Sequence, residues 1–292
     1  MVNQEIKISP NSKQRSAIEH PPAPLMILAG AGTGKTFTLE NRIVYLIKEY
    51  KVDPKHLLAI TYTEKAAKEL KNRVIEKVGA KAHSMTVNTF HAFCYKLLRD
   101  NDFSSKQLLD ESEAVHMFLT RFDELKPFES TEFPLDPQRA ITESFMPFFN
   151  RMRDELIDPE KVKVSQLKDD DTLTNETRQQ LSDLKRIYPL FQSWKEELNV
   201  VDYGDMILSA YQMISTNKSI LKNIQDNYRH IVIDEFQDNN FALNEIVNLI
   251  AGKRNYVTAV GDDDQVIYSF RGANNFNIQA FRERYGDHEK YQ

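Results

Sequence analysis

The sequence predicts an α/β fold, in which a parallel sheet is interrupted by an inserted all-helical domain. Three observations predict it. Short apolar runs separated by helical patterns occur near both ends of the chain. The middle of the chain is free of glycine. That same middle carries aromatic residues at helical spacing.

Leu25-Met26-Ile27-Leu28 is the first apolar run, and Leu57-Leu58-Ala59-Ile60-Thr61 the second. Met85-Thr86-Val87-Asn88 is a weaker third, Ile231-Val232-Ile233 a fourth and Tyr256-Val257-Thr258-Ala259-Val260 a fifth. Such runs suit strands buried on both faces of a parallel sheet. Phe37, Ile43, Val44 and Ile47 follow the first run at helical spacing, and Ala66, Leu70, Val74 and Val78 follow the second. Strand alternating with helix implies right-handed βαβ units. Of nine glycines, none lies between Gly79 and Gly204. Average usage would put roughly nine there, so the stretch reads as helical. Its apolar stripes are Val115, Phe118, Leu119 and Phe122, then Ile141, Phe145, Phe148, Phe149 and Met152, then Leu181, Leu184, Ile187, Leu190, Phe191 and Trp194. Prolines at 127, 134, 137 and 159 punctuate the gaps. These aromatics are expected to form a core.

The 292 residues suggest two domains at about 150 residues each. With 41% apolar and 28% charged residues, the chain is not disordered, collagenous or a coiled-coil rod. No stretch approaches the roughly 20 apolar residues that span a bilayer, and the N-terminus lacks the apolar core of a signal peptide. Cytoplasmic residence is the expectation. The single cysteine, Cys94, cannot form an internal disulfide, and no Cys/His cluster suggests zinc. A net charge of −5 excludes a non-specific nucleic-acid coat, although a local basic strip can still meet a phosphate backbone.

Ala29-Gly30-Ala31-Gly32-Thr33-Gly34-Lys35-Thr36 fits a phosphate-binding loop, with alanine where the strict pattern begins with glycine. Its glycines let backbone N–H groups curl around an anion, and the next helix presents its positive end. Lys35 would reach the β/γ-phosphates, and the Thr36 hydroxyl would ligate Mg²⁺. Asp234 and Glu235 close the fourth run. In such a protein the first acid holds Mg²⁺ and the second activates the water that attacks the γ-phosphate. Gly261-Asp262-Asp263-Asp264-Gln265, with Gln237 and Asp238, gathers polar groups at strand C-terminal ends, where open α/β sheets bind ligands. Tyr268, Phe270 and Arg271 follow; aromatics beside an arginine stack on unpaired bases and hold a phosphate. The best basic strip runs from Thr61 to Arg73, and Lys65, Lys68, Lys71, Arg73 and Lys77 outnumber Glu64, Glu69 and Glu76 by two.

Taken in order from about residue 8 to residue 273, these segments resemble the superfamily 1 DNA helicases of the UvrD/Rep/PcrA group. The resemblance is dense at both ends and weak in the helical insert. It implies that Gln14 and Arg15 read adenine, with Arg42 as another adenine-side arginine. It assigns the Lys35 loop and the Asp234-Glu235 pair to the first and second motifs. It places Tyr62, Thr63 and Lys65 in a single-strand-binding motif, and Thr89 and His91 in the next DNA contact. Val201-Asp202-Tyr203-Gly204-Asp205 resembles a short motif at the return from the insert. Gln265 would sense the γ-phosphate, while Tyr268, Phe270 and Arg271 would meet DNA. Three residues depart from the family pattern: Tyr62 for phenylalanine, Glu64 for asparagine and Phe270 for tryptophan. Both aromatic exchanges keep a π-face for stacking, whereas Glu64 puts a negative charge near DNA.

The implied architecture is a RecA-like domain of residues 1–105 and 201–292, with a helical domain at 106–200 between its third and fourth strands. The implied partners are ATP with Mg²⁺, single-stranded DNA and single/double-strand junctions, with 3′→5′ polarity. The family also has a second RecA-like domain carrying the arginine fingers, for which no room remains after Ala273. The chain is therefore expected to be the N-terminal half of a longer helicase and to hydrolyse nucleotide poorly alone, because an arginine finger contributes roughly 10³–10⁵ in rate. Two alternatives stay open: the motor of an AddA-like helicase–nuclease, and a non-catalytic ATP-dependent protein-interaction module. A small-molecule kinase would leave residues 89–93 and 268–271 without a role.

Overall fold

The computed structural model describes residues 9–101, 106–164, 174–254, 256–262, 274–286 and 289–291. The chain forms two compact units, Met1–Phe93 with Met213–Gln292, and Cys94–Gln212. The described residues 94–101 and 201–212 thus fall in the second unit.

The first unit is built on a parallel sheet. Its strands are β1 (Leu25–Leu28), β2 (Leu57–Thr61) and β3 (Thr86–Thr89), then, after the insert, β6 (His230–Ile233), β7 (Val257–Gly261) and β8 (Glu289–Tyr291). The labels β4 (Gln107–Leu108) and β5 (Val200–Val201) belong to a short parallel pair in the second unit. The order across the main sheet is β3-β2-β6-β7-β1-β8, and every pairing is parallel. Every residue of β1, β2 and β7 is buried, which is why these strands read as unbroken apolar runs rather than alternating ones. The three-residue β8 at the edge carries no apolar run, so periodicity gave no sign of it.

Helix α1 (Ser12–Ile18) precedes β1, α2 (Lys35–Lys48) follows the glycine loop, and α3 (Glu64–Val78) follows β2. Leu39, Ile43 and Ile47 of α2 and Leu70 and Val74 of α3 join Leu25, Ile27, Leu57, Ala59, Val232 and Val260 of the sheet in one core. Of the residues the helical spacing predicts, Ile43, Ile47, Leu70 and Val74 lie in this core and Val44 and Val78 pack against it, whereas Phe37 and Ala66 do not. Helix α4 (Phe90–Arg99) leads from β3 into the insert.

In the second unit α5 (Glu111–Thr120), a short α6 (Pro137–Arg139), α7 (Met146–Asp154) and α8 (Asn175–Glu197) surround an aromatic core. Phe118 lies 4.6 Å from Phe191 and 5.6 Å from Phe145, ring centre to ring centre. Those aromatics are core, as expected, but Leu119 of the first stripe is 40% exposed. Helix α9 (Tyr203–Thr216) opens with a buried ionic cluster. Asp202 and Asp205 meet Arg153 of α7 and Lys195 of α8. A Cβ on Gly204 would come within 2.6 Å of Arg153 Nε, so the glycine admits the guanidinium.

Helices α10 (Lys218–Asn227), α11 (Phe241–Ala251) and α12 (Asn274–Tyr285) complete the first unit. Phe281 of α12 packs edge-on against Phe236, 5.8 Å away. Among the described residues, no helix is long and apolar enough to cross a membrane.

Candidate phosphate-binding site

Three adjacent parallel strands end at one edge of the sheet. Leu28 of β1 is in register with Gly261 of β7, and Ile233 of β6 with Ala259 of β7. The residues that follow these strands therefore emerge side by side, at the ligand-binding edge of an open α/β sheet.

After β1, the Ala29 amide donates to the Gly261 carbonyl at 3.0 Å, and then the chain curls. Gly32 and Gly34 have φ of +74° and +91°, where an L side chain costs roughly 1–2 kcal/mol. The Thr33 hydroxyl closes the curl on the Gly30 carbonyl at 2.8 Å. Helix α2 then starts at Lys35 with no side chain capping its first turn. Its leading N–H groups are thus left for a ligand, and with the helix dipole they favour an anion.

Gln14 supports this loop from α1. Its Nε2 donates to the Thr33 carbonyl at 3.0 Å, while its Oε1 accepts the Asn11 amide in a capping box. Arg15 is exposed beside it. Arg42, assigned above to the adenine side, is 1% exposed. Its Nη1 donates to the Ile18 carbonyl at 3.0 Å and to the His20 carbonyl, and its Nη2 to the Pro21 carbonyl at 3.0 Å. Burial lowers the guanidinium to about 10. Arg42 thus ties the end of α1 to α2, and it bears on the loop through the helix that carries Gln14.

The acids arrive from β6 and β7. The Asp234 amide donates to the Ile60 carbonyl of β2 at 2.9 Å. Glu235 follows with φ +50° and ψ +45°, left-handed for a residue that is not glycine. Such a conformation costs of order 1–3 kcal/mol and recurs at functional sites. The turn brings Glu235 Oε2 to 3.3 Å from Lys35 Nζ, and Asp262 Oδ2 lies 3.1 Å from the same ammonium. Burial alone would lower the Lys35 pKa, but the Asp262 hydrogen bond and the charges of Glu235 and Asp262 outweigh it and raise the pKa above its usual value.

Burial, and then the negative charge of Glu235, push the Asp234 carboxyl up to about 6. Two acids thus face one lysine, and Asp234 lies close enough to feel the charges of Glu235 and Lys35. Among the described residues no three His, Cys, Asp or Glu side chains are grouped to hold a metal unaided. Mg²⁺ is commonly bound by one or two protein groups together with substrate phosphates. Asp234 and the exposed Thr36 are the groups that would hold it.

The raised Asp234 value has a consequence for stability. The folded carboxyl binds its proton more tightly than the unfolded one, whose value is about 3.9. Stability from this group is therefore full below about pH 4 and falls as pH rises to about 6. Asp234→Asn is expected to raise the melting temperature at pH 7 and leave it unchanged at pH 4. Thermal unfolding at the two pH values checks this, and a lower melting temperature at pH 7 would contradict it.

Thr61 of β2 is in register with Thr89 of β3 at the same edge of the sheet. Tyr62, 67% exposed, follows β2. Thr63 caps α3 by accepting the Ala66 amide at 3.1 Å, and Lys65 is exposed on the first turn. Thr89 accepts the Ala92 amide at 3.2 Å, and His91 is exposed in the first turn of α4. Gln265, Tyr268, Phe270 and Arg271 lie outside the described residues. Sequence reasoning missed Asp262 as a partner of Lys35, although its position just past a strand was a signal. It also missed Gln237 as a partner of Glu235.

A family model described as the UvrD/REP helicase N-terminal domain matches residues 10–286. The chain is 33% identical over 283 residues to DNA helicase II of Rickettsia typhi, covering 97% of this chain and 41% of that protein. It is 32% identical over 283 residues to the ATP-dependent DNA helicase PcrA of Staphylococcus epidermidis, covering 94% of this chain and 36% of that one. It is 31% identical over 276 residues to DNA helicase II of Escherichia coli, covering 93% and 36%. The chain thus spans about two fifths of the length of these curated relatives.

Proposed function

Because the chain belongs to the UvrD/REP helicase N-terminal domain family, we propose that it is the first motor portion of an ATP-dependent DNA helicase. It binds ATP with Mg²⁺ at the Lys35 loop. Single-stranded DNA lies across the C-terminal ends of β2 and β3, against Tyr62, Thr63, Lys65, Thr89 and His91. Travel is 3′→5′ toward single/double-strand junctions, and a second RecA-like domain supplies the arginine fingers. Without that domain this chain turns over ATP slowly.

One observation carries this reading. A lysine behind an uncapped helix N-terminus faces the acid of one strand end and the acid of the next, with Asp234 beside them. The N–H groups and Lys35 receive the β/γ-phosphates, and Lys35 exchanges carboxylate partners for phosphate ones. Glu235, freed of the ammonium, accepts a proton from the water that attacks the γ-phosphate in line. Asp234 and Thr36 would hold Mg²⁺, which would offset charge on the β/γ-phosphates. A non-catalytic module has no use for a strained carboxylate at this edge.

Titration of the purified chain with MgATP tests the reading. Lys35→Ala is expected to weaken binding by roughly 10- to 100-fold, the worth of hydrogen bonds to a charged group. Equal affinity in the two proteins, or none in the unaltered chain, would overturn it.

A further inference from the structure

Glu235 is held by an amide side chain to which the reading above gives no part. Gln237, 2% exposed, donates from Nε2 to Glu235 Oε2 at 2.7 Å. Its Oε1 accepts the Asp262 amide at 3.0 Å. Gly261 leaves room for this, since a Cβ there would come within 3.1 Å of that Oε1. Lys35 approaches the same Glu235 Oε2. Among the described residues, the bonds to this carboxylate fall on Oε2 and leave Oε1 for another proton donor.

The turn carrying Gln237 is gripped from α12. Asn277, 2% exposed, aims Nδ2 at the carbonyls of Asn239 at 2.6 Å, Gln237 at 3.1 Å and Phe236 at 3.5 Å. Its Oδ1 accepts Asn244 Nδ2 at 2.8 Å, and Asn244 Oδ1 accepts Asn239 Nδ2 at 3.0 Å. Three buried amides thus encircle one turn. A buried amide contributes little net stability over an apolar side chain of the same shape. What a fully satisfied network adds is rigidity. Rigidity is what the left-handed Glu235 needs, because strained backbone persists only where its surroundings over-determine it.

We propose that Gln237 and Asn277 are positioning residues for hydrolysis. Gln237 acts on the Glu235 carboxylate, and Asn277 acts on the turn that carries both. The proposal rests on the ATPase reading above.

The test is DNA-stimulated MgATP turnover and nucleotide binding in the natural full-length protein, for Gln237→Met, Asn277→Ala and the double variant. Gln237→Met keeps the side-chain length and removes both hydrogen bonds. Each single variant is expected to lose about 10- to 100-fold in kcat, the effect of a misplacement near 1 Å. KM and nucleotide affinity should stay within about threefold, a split that mere destabilisation would not produce. If the two act as one device, their losses are not additive, and the double variant should be about as slow as the slower single one. A folded Gln237→Met with unchanged kcat, or losses that multiply, would overturn the proposal. Should Asn277→Ala not fold, Gln237→Met alone decides. A full-length protein that does not hydrolyse MgATP would instead overturn the functional reading.

Discussion

Glu235→Gln is expected to abolish most ATP turnover while nucleotide binding survives. A positioned general base contributes about 10²–10⁴ in rate, and glutamine keeps the shape of the side chain but cannot take the proton. Lys35 retains its 3.1 Å partner Asp262, so the lysine stays in the site. The Glu235 side chain is 35% exposed, so the exchange is expected to leave the fold intact. The check is steady-state turnover of the full-length protein with single-stranded DNA, beside an equilibrium titration with MgATP. Affinity should change by less than about threefold, since a change in a catalytic proton acceptor leaves ground-state binding largely alone. A turnover loss under tenfold would assign the base elsewhere, and a matching loss of affinity would make Glu235 a binding group.

Arg153→Met is expected to destabilise the helical unit by about 3–5 kcal/mol, the cost of breaking a buried ion pair from one side. Arg153 and Lys195 are each 2% exposed, and Asp202 and Asp205 are 6% and 8%. Arg153 Nη1 lies 2.6 Å from Asp202 Oδ1 and 2.9 Å from Asp205 Oδ1, and Lys195 Nζ lies 2.9 Å from Asp202 Oδ2. Two cations thus balance two anions, and removing one cation leaves a buried negative charge uncompensated. Burial would raise the Asp202 carboxyl, but the charges of Arg153 and Lys195 more than reverse this and hold it below the usual range. A folded value below the unfolded one means stability that is present above about pH 4 and lost as pH falls further. The gap between Arg153→Met and the unaltered chain should therefore narrow below pH 4. Adding Asp202→Asn should recover part of the loss at pH 7, because the remaining Lys195–Asp205 pair is again neutral. Urea unfolding of the three proteins measures all of this. A single-variant loss under about 1 kcal/mol would refute the expectation.

The five apolar runs, the helices after the first two and the aromatic helical insert were legible because each is a local pattern. A buried parallel strand must be apolar on both faces, and a covering helix must be apolar on one, wherever the strand lies in the sheet. The loop at Lys35 was legible for the same kind of reason, since its glycines answer to backbone angles set within the loop. So was the adjacency of Asp234 and Glu235. What only the tertiary structure decided are the partnerships. Lys35 meets carboxylates 200 and 227 residues away, because the order β6-β7-β1 lays three strand ends together. Strand order is a property of the packed sheet and is not written in any one segment. Arg42 looked like a nucleotide contact, and it spends its terminal nitrogens on carbonyls of residues 18–21. Asp202 and Asp205 resembled part of a short motif at the return from the insert, and the fold buries their charges against Arg153 and Lys195. Asn277 sits on a polar helix turn with nothing nearby to mark it. The sequence determined which groups this protein carries and which local shapes it forms. The fold decided which of those groups face one another, because a charge or an amide acquires its role from whatever compensates it once water is removed.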